Sequence, residues 1–265
     1  MKIICTGSEG FIGSHIMEQG RLLGYEMVGC DIVGIPNVKC PAHQVGLIGS
    51  DRVIHAAGIL GTKELLDAPV GAVDFNITET VQLLDNCRKN EVPLTYITLG
   101  NTWLNPYSIT KNCAAEFVRM YHAVHGLPTQ VATTYNVFGP HQKWKPVRKI
   151  VPEFMTRLLA GLPVQINGVG DQWVDMVYAP DVARAILLDT GTGDAQYGSG
   201  VGRYVMDVAK DCAKALGVEF KAEHLPPRQG ETGPAAVAEY ARPHQMPYEE
   251  ALKHTADWYR ENFKL

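Results

Sequence analysis

The feature that most constrains this chain lies in its first 31 residues, MKIICTGSEGFIGSHIMEQGRLLGYEMVGCD. A short apolar run (Ile3, Ile4, Cys5) leads into glycines at positions 7, 10 and 13. A helix-length stretch follows, then a second apolar run that closes on Asp31. Strand, glycine turn, helix, and a strand ending in an acid form the order that builds a dinucleotide site. Each glycine has its own task. Gly7 permits the tight turn, Gly10 lets a pyrophosphate approach the backbone, and Gly13 lets helix and strand pack closely. The helix N-terminus then presents free N–H groups and a partial positive charge to phosphates. Asp31 stands 18 residues after Gly13, where a carboxylate accepts hydrogen bonds from ribose hydroxyls and repels a 2′-phosphate. The expected cofactor is therefore NAD rather than NADP.

Apolar strand-like runs recur at 2–5, 25–30, 52–56, 94–99 and 129–133, with helical stretches such as 14–23, 74–89 and 108–125 between most of them. That alternation predicts an α/β fold, a doubly wound parallel sheet covered by helices on both faces. Only 23 residues separate Asp31 from His55, slightly few for a complete strand–helix–strand unit. The third strand or its helix is therefore expected to shrink to something like 43–48. Glycine and proline punctuate the chain from Gly139 onward, and helices are expected at 150–159, 181–188 and 247–263. Net charge is −4 with no basic block, so nucleic acid is not an expected partner. The six cysteines show no C-x-x-C pair and the histidines no ligand spacing, so buried reduced thiols are expected and no metal site. His55, in the strand VIHAAG, reads as a packed core residue. With no signal peptide and no apolar run near 18 residues, a cytoplasmic protein without a membrane partner is expected.

A second motif carries the chemistry. Pro106-Tyr107-Ser-Ile-Thr-Lys111 follows the strand LTYITL, and residues four apart on a helix share a face. A free tyrosine has a pKa near 10, so acting as a base at pH 7 requires roughly 4 kcal/mol of preference for the phenolate. A neighbouring ammonium and the positive nicotinamide ring of NAD supply such a preference. In this reading Tyr107 removes a proton from a substrate hydroxyl while hydride leaves the same carbon for NAD. Lys111 also holds the nicotinamide ribose.

The stretch Thr6-Gly7-x-x-Gly10-Phe11-Ile12-Gly13, with Tyr107 and Lys111, resembles the extended short-chain dehydrogenase/reductases, the NAD-dependent nucleotide-sugar epimerase/dehydratase family. Nearly the whole chain takes part. The resemblance implies a Rossmann domain over residues 1–138, rejoined by about 175–192, and a smaller C-terminal substrate-binding lobe over 139–174 and 193–265. It implies cofactor contacts from Gly7, Gly10, Phe11, Ile12, Gly13, Asp31, Ile32, Ala56, Ala57, Gly58, Asn76, Tyr107, Lys111, Tyr135 and Val137. Asn136 and Arg228, the latter in an arginine-glycine-acid element with Glu231, are implied to face the substrate diphosphate. A guanidinium suits that task because its fork pairs two phosphate oxygens. By analogy the protein is a homodimer, with helices 74–89 and 108–125 forming a four-helix bundle. Apolar residues on more than one face (Val81, Leu84, Ala114, Phe117, Val118) agree with that.

Three departures bear on the reaction. Leu99 stands where the family places a serine or threonine to hydrogen-bond the reacting hydroxyl, which leaves Thr98 as the expected catalytic hydroxyl and Thr102 as a substrate contact. Eight residues separate Thr98 from Tyr107, so the loop that helps enclose the sugar is short. Val174 replaces an arginine of the family's diphosphate site, and Lys143, Lys145, Arg148 and Lys149 are either its substitutes or a solvated loop. The acid pair that family dehydratases use is Gly100 and Asn101 here, and decarboxylating relatives want the glutamate too. Elimination favours a redox-neutral epimerase resembling UDP-glucose 4-epimerase. Two alternatives stay open: an NAD-dependent oxidoreductase acting on a small non-nucleotide substrate, and a catalytically degenerate NAD-binding protein.

Overall fold

The computed structural model describes residues 1–32, 38–240 and 246–264. Along the chain run β1 (Lys2–Thr6), α1 (Phe11–Leu22), β2 (Glu26–Asp31), β3 (Val38–Lys39) and β4 (Arg52–His55). Then come α2 (Pro69–Val73), a π-helical turn over Asp74–Thr78, α3 (Glu79–Asn90), β5 (Leu94–Leu99), α4 (Pro106–His125), β6 (Thr129–Thr134) and β7 (Asn136–Phe138). The remainder is α5 (Ile150–Leu159), β8 (Val164–Asn167), β9 (Trp173–Tyr178), α6 (Ala179–Leu188), β10 (Gly193–Tyr197), β11 (Gly202–Tyr204), α7 (Val205–Leu216), β12 (Ala222–Leu225) and α8 (Tyr248–Asn262).

Seven strands form one parallel sheet in the order β10-β6-β5-β4-β1-β2-β3. Its central strands are buried without alternation, β4 along its whole length, because helices cover both faces. Leu83, Leu84, Ala114, Val118 and Tyr121 seal one face. Ile16, Met17, Val182, Ala183 and Ile186 seal the other. The order reverses between β1 and β4, and ligands of such sheets bind in the crevice beyond the carboxyl ends of the strands at that switch point.

Several expectations need correction. The shortened element expected near 43–48 is the helix and not the strand. The third strand is the two-residue β3, and its helix is reduced to a 3₁₀ turn over Ala42–Gln44. Ala42, Val45 and Leu47 still bury their side chains while Ile48 is exposed, so apolar character there serves packing without strand pairing. The helix expected from Asp74 begins earlier, at Pro69, and passes through the π turn before α3. Residues 193–197, expected in the lobe, form β10 of the main sheet, because Gly193–Tyr197 pairs in register with Gln130–Thr134. Conversely β7, at the end of the segment assigned to the main domain, joins β9 and β11 in a three-stranded sheet. The lobe has its own core, built from Phe154, Met155, Val164, Ile166, Val208, Cys212 and Tyr259.

Candidate active site

The glycine turn is packed backbone to backbone. Gly7 has φ +72°, and a Cβ there would lie 2.6 Å from the Ala57 amide nitrogen. A Cβ on Gly13 would lie 2.0 Å from the Gly7 carbonyl oxygen. Only glycine fits either place. Helix α1 has no side-chain cap and no acidic residue in its first turn, so its leading N–H groups remain available to an anion. The carboxylate of Asp31 accepts a hydrogen bond from the Glu9 amide at 3.0 Å, which fixes the acid beside the turn. A turn of this shape fits the pyrophosphate of a dinucleotide.

From that turn a single cavity of about 1130 Å³ runs into the second lobe. Gly10, Phe11, Ile12, Gly13, Ala56, Ala57 and Gly58 line one end. Thr98, Leu99, Tyr107, Lys111, Tyr135, Asn136 and Val137 line the middle, and Lys149, Gln172, Trp173 and Arg228 lie toward the far end. Such a volume exceeds the range of an ordinary single-ligand pocket.

Tyr107 and Lys111 reach the cavity because of how α4 begins. Asn105 caps it, its side-chain oxygen accepting from the Ser108 amide at 2.9 Å, and Pro106 occupies the first helical position. Tyr107 therefore falls in the first turn and Lys111 one turn later on the same side. The Lys111 ammonium sits 4.1 Å from the centre of the Tyr96 ring. Burial pushes the Tyr107 phenol up to about 12 and the Lys111 ammonium down to about 7. Each shift has the sign of a charge kept from water, so the chain alone disfavours both phenolate and ammonium.

Thr98 is buried, and its hydroxyl donates to the Lys111 carbonyl at 3.4 Å. Tyr96 donates to the same oxygen at 3.3 Å. Leu99 shares the cavity wall with Thr98. Asn76 is buried off the cavity wall, between the turn after β4 and α4. Its side chain accepts from the Ile59 amide at 2.9 Å and donates to the Ile59 carbonyl and to Thr110, each at 3.0 Å. It thus braces the strand-end turn against the helix carrying Tyr107. Gly7, Asp31 and Ile32 are not among the lining residues; Asp31 is half-buried beside the turn and Ile32 is exposed. Thr102 is likewise exposed and outside the lining. Tyr135 donates its hydroxyl to Gln196 at 2.9 Å.

Arg228 is at the cavity but engaged. Its guanidinium lies 3.2 Å from Glu64 and 3.5 Å from Glu231. Glu64 went unnoticed in the sequence, since it comes 164 residues before its partner and carries no motif. Asn101 and Trp103 were also missed as structural ties. Asn101 accepts from the Ala236 amide at 2.7 Å, and the Trp103 indole donates to the Gly233 carbonyl at 2.8 Å. The short loop after β5 thereby fastens to the segment behind Arg228. Among the described residues no cluster of His, Cys, Asp and Glu suits a metal ion, and no helix is long and apolar enough to cross a membrane.

Comparison with known proteins gives consistent findings. Residues 95–196 match the model of the NAD dependent epimerase/dehydratase family. A putative UDP-glucose 4-epimerase of Methanocaldococcus jannaschii is 24% identical over 268 residues, covering 86% of this chain and 87% of that one. A UDP-N-acetyl-alpha-D-glucosaminuronate decarboxylase of Bacillus cytotoxicus is 22% identical over 98% of both chains. The crystal structure of UDP-glucose 4-epimerase with UDP-glucose from Thermotoga maritima shares the fold, with a TM-score of 0.90 and 23% identity across the full length of both.

Proposed function

We propose that this chain, whose residues 95–196 match the model of the NAD dependent epimerase/dehydratase family, is an NAD-dependent epimerase of a nucleotide-activated sugar, similar to UDP-glucose 4-epimerase. The observation that carries the choice is a pair of side chains and a missing one. Tyr107 and Lys111 meet the cavity one helical turn apart, while Gly100 and Asn101 leave no carboxyl group after Thr98 for dehydration or decarboxylation.

When bound, NAD supplies the hydride acceptor and a positive ring. The glycine turn and the first N–H groups of α1 hold its pyrophosphate, and Asp31 its adenosine ribose. Tyr107 Oη takes the proton of the sugar hydroxyl as the ketone forms and returns it when the opposite face is reduced. Its pKa near 12 must fall by about 5 units to act at pH 7, which is about 7 kcal/mol. At a separation of about 5 Å and an effective dielectric of ~20 an ammonium would contribute about 3 kcal/mol. The same attraction keeps on Lys111 the proton that burial alone releases near 7. Lys111 therefore accounts for roughly half, and the rest falls to the positive ring. Thr98 steadies the Lys111 turn through its carbonyl. Asn76 keeps the strand-end turn and α4 in register.

One observation favours a second reading, an oxidoreductase for a smaller substrate without a nucleotide. Val174 offers no charge, and Arg228 is engaged by two carboxylates. Conversion of a UDP-sugar to its 4-epimer, lost in Tyr107→Phe, supports the epimerase. Absence of both conversion and any retained sugar nucleotide, read by mass spectrometry of the denatured protein, refutes it.

A further inference from the structure

The wall beside Tyr107 is a seam between two segments far apart in sequence. Hydrogen bonds tie residues 101–105, just before α4, to residues 230–236, and the two segments run in opposite directions. The Asn105 side chain donates to the Gly230 carbonyl at 2.8 Å, and the Leu104 amide donates to Thr232 Oγ1 at 2.7 Å. Trp103 then reaches the Gly233 carbonyl, and Asn101 receives the Ala236 amide. Every one of these bonds uses a side chain, so the seam depends on residue identity where a backbone ladder would not. Asn101, Trp103, Glu231, Gly233 and Ala235 line the cavity together with Tyr107.

Asn105 belongs both to this seam and to the cap of α4, and it is fully buried. Each end of its side chain is used: Oδ1 accepts from the Ser108 amide while Nδ2 donates to Gly230. Serine, threonine or aspartate would cap a helix as well, but none sets an N–H donor opposite its acceptor. Capping alone therefore does not account for asparagine here, and the second bond does. Its partner is shaped for close approach. Gly230 has φ +88°, and a Cβ there would stand 3.3 Å from Asn105 Cβ and 3.2 Å from Thr62 Cγ2. Tyr107 follows two residues after Asn105, in the turn that the cap fixes.

We propose that Asn105 is a positioning residue that holds the 230–236 wall at a fixed distance from Tyr107 and so preorganises the substrate pocket. This rests on the reading of the reaction as epimerisation at Tyr107. The loop between Thr98 and Tyr107 is short, and the seam brings a second segment over the same space. A substrate that meets an ordered wall loses no binding energy to ordering it.

Steady-state kinetics of UDP-glucose and UDP-galactose interconversion, on the full chain at saturating NAD, separates the two bonds of Asn105. Asn105→Ser keeps the cap and drops the bond to Gly230, so KM is expected to rise about tenfold with kcat within about threefold of the parent. Asn105→Ala drops both bonds and is expected to lower kcat as well, by about fivefold or more. Thr232→Val, at an exposed position of the seam, is expected to raise KM in the same direction with kcat retained. Amide hydrogen exchange at residues 230–236 reads the seam without turnover, and in Asn105→Ser it is expected to quicken about tenfold. A KM within about twofold of the parent in Asn105→Ser overturns the proposal, as do equal losses of kcat in Asn105→Ser and Asn105→Ala, which would reduce the residue to a cap. If Asn105→Ser does not fold, Thr232→Val carries the same test, and an unchanged KM there overturns it. If the parent interconverts no UDP-sugar, the epimerase reading falls and exchange alone decides. Unchanged protection in Asn105→Ser then overturns the positioning role, and faster exchange with NAD affinity intact sustains it.

Discussion

Replacing Lys111 by methionine isolates the charge that the chemistry requires. Burial holds the Tyr107 phenol near 12, so at pH 7 the unaided phenolate costs about 7 kcal/mol. Residues four apart on a helix have Cβ atoms about 5–6 Å apart, which sets the scale for the separation of the two charged ends. At an effective dielectric of ~20 an ammonium at that separation stabilises the phenolate by about 3 kcal/mol, or some 2 pKa units. Lys111→Met should therefore lower the rate of UDP-glucose and UDP-galactose interconversion about 200-fold at pH 7. It should also move the rising limb of the pH–rate profile about 2 units upward. Lys111→Arg keeps a cation and should retain the parent profile with a loss under about tenfold. The assay is chromatographic separation of the two UDP-sugars from pH 6 to 10 at saturating NAD, which removes any contribution from weakened cofactor binding. If Lys111→Met and Lys111→Arg lose equal activity and both keep the parent pH profile, the lysine acts by position alone and its electrostatic role is wrong.

Three further outcomes are expected. Gly13→Ala would place a methyl 2.0 Å from the Gly7 carbonyl oxygen, so α1 must withdraw from the turn by about 1 Å. NAD affinity measured by calorimetry should fall about 100-fold, and retention within threefold would show that the close approach is dispensable. His55 is buried between Thr6 (2.6 Å) and Thr80 (3.0 Å), and burial lowers its pKa from 6.5 to about 3. The folded state thus refuses a proton that the unfolded chain accepts below 6.5, so stability is full above 6.5 and falls as pH drops toward 3. Urea denaturation should show about 2 kcal/mol lost between pH 6.5 and 5 that His55→Asn does not lose, and identical pH dependences would refute it. Val70, Val73, Phe75 and Ile109 are exposed on α2, the adjoining π turn and α4, an apolar face consistent with a homodimer. Sedimentation at micromolar concentration should give a dimer, and Phe75→Glu with Ile109→Glu a monomer; a monomeric parent would sink the assignment.

Much of this protein could be read from local pattern, because its decisive signals are short in sequence. The turn of Gly7, Gly10 and Gly13 is dictated by backbone sterics within one strand–helix unit, and Tyr107 and Lys111 need only one turn of helix to share a face. The recurring strand-like runs, with helical stretches between them, announce a sheet covered on both sides. Even the reduced third crossover was audible as a shortage of residues. What the tertiary structure decided was pairing across long separations, where no local rule operates. Three of the residues cited for a second apolar face, Leu84, Ala114 and Val118, lie in the monomer core instead, and a different set is exposed. Residues 193–197 entered the main sheet because the edge of β6 was open to them. Arg228 met Glu64, and Asn76 met Ile59 and Thr110, through loops brought together only by the fold. Charge is the clearest case: four basic residues stand within seven positions in the sequence, yet only folding decides that Arg148 is paired with Glu153 while Lys143 and Lys145 are exposed.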